Sequence, residues 1–100
     1  MAYDAGTFDA TLAAAADGDA ALMAELRQVY IESVERQIDL LFRARCDGNW
    51  QIAALRLKGL AASFYAEDLH ELAEEALYSA PGEPGVIRRL RAYATEISPD

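Results

Sequence analysis

Residues 19–46 read DAALMAELRQVYIESVERQIDLLFRARC. Within this stretch Leu22, Leu26, Val29, Tyr30, Val34, Ile38, Leu41 and Phe42 recur at spacings of three and four, the period of an α-helix with one apolar side. Asp19 is a good N-cap, because its carboxylate can accept from backbone N–H groups that the first helical turn leaves unpaired. At about 1.5 Å per residue, a helix from Asp19 to about Cys46 is roughly 40 Å long. A chain of 100 residues has no use for so long a helix unless others lie alongside it. The stretch therefore predicts a bundle. Arg43 and Arg45 near its end complement the negative pole of the helix dipole, and Asp47-Gly48-Asn49 breaks it.

The flanking sequence has the same character. Upstream, Thr7 is placed to cap a short helix through Phe8, Leu12 and the run Ala13–Ala16, which stops at Asp17-Gly18-Asp19. Phe8 and Leu12 sit four apart, so this helix reads as a lid with a close-packing alanine surface. Downstream, a third helix starts near Asn49 and carries Trp50, Ala53, Ala54, Leu57, Ala61 and Phe64 on one face. A fourth runs from about Glu67 to Tyr78, with Leu69, Leu72, Ala73, Ala76 and Leu77 inward. Its Glu67, Glu71, Glu74 and Glu75 form a mostly solvated face. Pro81-Gly82-Glu83-Pro84-Gly85 is a loop, after which Val86, Ile87, Leu90, Ala94 and Ile97 mark a final helix ending before Pro99. The expected fold is all-α: an antiparallel up-and-down four-helix bundle with a short extra N-terminal helix, one domain over residues 1–100.

Composition agrees with this fold and narrows the function. The apolar content of 53% is led by Ala and Leu, the best helix formers. Seventeen acidic against nine basic side chains give a formal charge of −8, which disfavours nucleic acid and anionic membranes as partners. Arg88, Arg89 and Arg91, the one dense basic cluster, read as solvated residues that partly neutralise acidic neighbours. One Cys and one His cannot build a zinc site without several carboxylates, so no metal or cofactor is expected, and Cys46 reads as a reduced thiol. With no basic leader and no apolar run long enough to span a bilayer, the expectation is a cytoplasmic protein. No nucleophile-base pair or glycine-rich phosphate loop is visible, so no enzyme is expected.

The third helix carries the candidate site. With about 100° per residue and Trp50 as origin, Ala54, Leu57, Ala61 and Phe64 cluster within about 40° of it. Gln51, Leu55, Lys58, Gly59 and Ala62 fall between roughly 80° and 180°, away from the core. A glycine inside a helix costs about 1 kcal/mol relative to alanine, so something other than helix stability favours Gly59. A hollow beside an adjacent side chain, with an ammonium group nearby to attract an anion, is a physical motive.

The run Ala54-Leu55-Arg56-Leu57-Lys58-Gly59, followed by Ala62, Phe64, Ala66 and Leu69, resembles the histidine-phosphotransfer (Hpt) domain signature. That signature is Ala-His-x-Leu-Lys-Gly, then small residues, an apolar-Gly-Ala step and a leucine. Gly18-Asp19 and Asp47-Gly48-Asn49-Trp50 are also similar to the family, and the resemblance spans roughly residues 17 to 78. It implies a four-helix bundle that exchanges a phosphoryl group with an aspartate on a response-regulator receiver domain. Two departures stand out: Leu55 occupies the phosphoacceptor position, and Tyr65 replaces the glycine of the following turn. Trp50 also stands closer to the signature than is usual. Leucine has no lone pair with which to attack phosphorus, so the chemistry is lost at this position.

The resemblance thus implies a pseudo-phosphotransfer domain that binds a receiver domain or a histidine kinase through Gln51, Ile52, Leu55, Lys58, Gly59 and Ala62, with Lys58 offering charge to an acidic receiver pocket. Two alternatives stay open. One is a structural or oligomeric bundle in which Leu55 is buried against the first helix or a second copy. The other is a relocated phosphoacceptor at His70, which a hairpin of the third and fourth helices would bring level with Gly59.

Overall fold

Five helices follow one another along the chain: α1 (Ala5–Ala16), α2 (Ala20–Arg43), α3 (Asp47–Phe64), α4 (Glu67–Tyr78) and α5 (Pro84–Ile97). The computed structural model describes residues 5–98, and among these no strand occurs. Acidic side chains cap the starts of α2 and α5. Asp19 Oδ1 accepts from the N–H groups of Ala21 at 3.0 Å and Leu22 at 3.2 Å, which fixes the first turn of α2. Glu83 accepts from Gly85 N–H at 2.6 Å, and Pro84 opens α5 at a position whose missing N–H needs no partner.

Several boundaries differ from the sequence reading. α1 begins at Ala5, so Thr7 lies inside it and is not its cap; the Thr7 side chain falls outside the described part. α2 stops at Arg43 because Ala44 adopts an extended conformation, its N–H still bonded to Leu41 O. α3 begins at Asp47, so Asp47-Gly48-Asn49 forms its first turn and does not break the chain between helices. An aspartate there faces the positive pole of the new helix, which favours initiation as much as a turn. α5 ends at Ile97; Pro99, expected to stop it, lies outside the described residues.

α3 lies against both α2 and α4, α5 touches α2 and α4, and α1 crosses α2 and α3. The described body measures 42 × 24 × 23 Å. Trp50, near the start of α3, is 1% exposed and its Nε1–H donates to Ala76 O, near the end of α4, at 2.7 Å. α3 and α4 therefore run back along each other. Arg89 of α5 pairs with Glu75 of α4. At the other end of α3, Phe8, Tyr30 and Phe64 form an aromatic cluster with ring centroids 4.7 to 6.2 Å apart, so α1 closes over α2 and α3 as a lid. Tyr30 and Tyr93 hydroxyls meet at 2.6 Å inside the core, tying α2 to α5.

The apolar stripe of α2 is narrower than its sequence suggests. Tyr30, Ile31, Val34, Ile38 and Leu41 are buried, whereas Leu22, Val29 and Phe42 are exposed. Spacings of three and four drift around a helix of about 3.6 residues per turn, so a long run of them outgrows a single face. Leu22 and Val29 stay in solvent, and Phe42 receives the Arg91 guanidinium 4.7 Å above its ring.

Tyr65 ends α3 in the left-handed region, with φ 54 and ψ 41. Its N–H bonds to Ala62 O and that of Ala66 to Ala61 O at 2.8 Å, the paired bonds of a Schellman turn. Glycine is the residue that fits this backbone without strain, and the exposed tyrosine ring offers little packing in return. Tyr65→Gly is expected to raise stability by about 1 kcal/mol in urea denaturation.

Candidate functional site

The outward surface of α3 follows from its inward one. Trp50, Ala53, Ala54, Leu57 and Ala61 are buried, which leaves the opposite side to solvent. Leu55 is 54% exposed and Ile52 48%. Gln51, Gly59 and Ala62 are exposed, and Lys58 is half-buried. A Cβ built on Gly59 would meet nothing within 4 Å. Gly59 is therefore not there to let a neighbouring helix of this chain approach, and α1, seated over Phe64 and Tyr30, does not cover Leu55.

Four of the six residues divide between two flanks. Lys58 leans toward α4, where its Nζ lies 3.6 Å from Glu74 Oε2. Ala62 borders a small hollow with Tyr65, Glu67 and His70. Ile52 and Gly59 instead border hollows shared with α2. Leu55 stands on the exposed ridge of α3, and Gly59, one helical turn on, leaves that ridge without a side chain.

His70 is linked to Lys58 through Glu74, which the sequence places on the mostly solvated face of the fourth helix. Glu74 Oε1 lies 3.5 Å from His70 Nδ1 while its other oxygen faces Lys58. The i,i+4 spacing of His70 and Glu74 on one helix was a legible signal for half of this contact. The other half required knowing that α4 lies beside α3. A partly exposed pair of this kind contributes at most about 1 kcal/mol, so an incoming carboxylate can exchange for Glu74 at small cost. Lys58 thus already shares its charge with a carboxylate of α4.

Among the described residues no group of three His, Cys, Asp or Glu side chains is disposed to hold a metal ion, and Cys46 is exposed. No helix there is long and apolar enough to cross a membrane. The arrangement on α3 can offer an apolar ridge, a glycine gap and a shared lysine charge to another macromolecule. The chain matches no protein-family model, no curated protein and no solved structure.

Because the space above Gly59 is open, Gly59→Ala should stabilise the fold by about 0.5 to 1 kcal/mol. Chemical denaturation checks this, and a loss of stability would mean that the glycine serves packing within the chain.

Proposed function

We propose that this chain is a pseudo-phosphotransfer domain, which binds a response-regulator receiver domain or a histidine kinase through the outward side of α3 and carries no phosphate there. The reading includes the architecture: a four-helix up-and-down bundle of α2 to α5, with α1 as an extra helix. In its support, α2 meets α3, α3 meets α4, α4 meets α5, and α5 returns to α2. It also rests on the similarity of Ala54–Gly59 to the Hpt signature, with leucine in place of the nucleophile.

The observation that carries the proposal is the exposed Leu55 beside an unoccupied Gly59. An apolar side chain left half in water, next to a helix-weakening glycine that no internal packing requires, is understandable as a contact surface. Without a nucleophile at that position, recognition persists without reaction, and the protein competes with phosphotransfer partners for the same regulator. On this reading the chain is no enzyme and uses no cofactor.

The structural alternative needs Leu55 covered by a second copy, and sedimentation velocity separates the two: a monomer is expected. His70 as a relocated phosphoacceptor has one observation in its favour, the Glu74 carboxylate beside Nδ1. Incubation with a phosphorylated receiver should leave the chain without acid-labile phosphate; label that vanishes in His70→Gln would support His70 instead.

Binding is the direct test. Receivers and kinases of the same cell should include at least one that the chain captures in pull-down, with Leu55→Asp weakening capture by about tenfold or more. Lys58→Glu should weaken it less, since Glu74 already offsets the lysine. Leu55→His is expected to gain phosphotransfer if the docking side is intact. Failure of every receiver and kinase to bind a folded chain overturns the proposal.

A further inference from the structure

α2 and α3 run side by side with a furrow between their outward faces, and its lining is unusual for a chain of formal charge −8. One hollow lies among Leu40, Arg43, Ile52 and Arg56. A second lies among Arg36, Gln37, Arg56 and Gly59. Arg56 borders both, so the two lie end to end along the α2–α3 furrow. No carboxylate lines either hollow. By contrast, Glu35 and Asp39 line the hollow between α2 and α5, and Asp68, Glu71, Glu75 and Glu96 line the one between α4 and α5.

The charge in the furrow is largely uncommitted. Arg43 pairs with Asp39 of its own helix at 2.9 Å. Arg36 and Arg56 are exposed, and neither has a carboxylate among the described residues within ion-pair distance. Leu40, 41% exposed, and Ile52 supply apolar contact at one end. Gly59 keeps the other end open, since a Cβ there would meet nothing within 4 Å.

We infer that this furrow binds an acidic protein segment, with carboxylates against Arg36 and Arg56 and apolar side chains against Leu40 and Ile52. Guanidinium groups suit carboxylates because their N–H donors form a planar fork that can engage both oxygens. The surrounding acidic surface repels such a partner elsewhere, so the furrow selects its position and orientation. A nucleic acid is a poorer occupant, since its phosphates would continue past the furrow onto carboxylate-bearing faces. The inference rests on the partner-binding half of the proposed function and moves its charged contact from Lys58 to the opposite flank of α3.

The test is a titration of the isotope-labelled full chain with a synthetic amphipathic peptide bearing Glu and Leu at helical spacing, followed by amide chemical shifts. Saturable shifts are expected at Arg36, Arg56 and Gly59, with affinity falling about tenfold or more in Arg36→Glu and in Arg56→Glu and little changed in Lys58→Glu. Circular dichroism establishes that each variant is folded, and the same peptide with Lys for Glu should not bind. Shifts centred on Arg88, Arg89 and Arg91, loss only in Lys58→Glu, or tighter binding of a duplex DNA oligonucleotide in the furrow would each overturn the inference. The two proposals fail separately. A receiver that binds both arginine variants undiminished removes the furrow and leaves the pseudo-phosphotransfer reading. Peptide binding in the furrow by a chain that captures no receiver or kinase does the reverse.

Discussion

The burial of Trp50, with its indole N–H donated to Ala76 O, sets the geometry on which the rest depends. A tryptophan this deep contributes a large apolar area, and its one polar atom must find an acceptor or lose much of that gain. The acceptor lies near the end of α4, so satisfying it fixes how far α4 slides along α3. That register places Lys58 opposite Glu74, while the inward Trp50 itself leaves Leu55 on the outer side of α3. It also brings His70 beside the same carboxylate. The Tyr65 turn accommodates this hairpin even though a left-handed tyrosine is a strained way to close it.

With the buried face of α3 fixed, its outward face becomes a boundary between two electrostatic regions. On the α4 side, Glu74 lies beside both His70 and Lys58, and Glu67 borders the same hollow as His70. On the α2 side, Arg36, Arg43 and Arg56 gather without a carboxylate in the lining. Leu55 and Gly59 lie on the ridge between them. The net charge of the chain conceals this division, because a sum over the whole surface says nothing about where opposite signs are segregated.

The helical pattern was legible where burial and periodicity agree. α4 runs from Glu67 to Tyr78, as its apolar spacing predicts, and α3 buries Trp50, Ala53, Ala54, Leu57 and Ala61 as the helical count requires. Legibility failed where one signal serves two structures. Asp47-Gly48-Asn49 suits a turn and suits the first turn of a helix, and it became the latter. Val29 and Phe42 carry the right residue type at the right spacing, yet which side of a long helix is covered depends on neighbours that spacing does not specify. For the candidate site, the position of Leu55 on the outer side follows from Trp50 by geometry alone, whereas the commitment of Lys58 to Glu74 does not.

By itself the sequence determined that this chain is helical, because alanine, leucine and the apolar period leave no competing local structure. It also determined that no nucleophile stands at Leu55 and that a glycine follows one turn later, since these are matters of residue identity. The tertiary structure decided which charges are already paired and which remain available. Lys58 and Glu74 meet, and Arg36 and Arg56 converge, only because helices far apart in the chain lie side by side. Local sequence fixes the face of a helix on which a side chain lies; what stands opposite is set by packing, through the apolar surfaces that must be buried together.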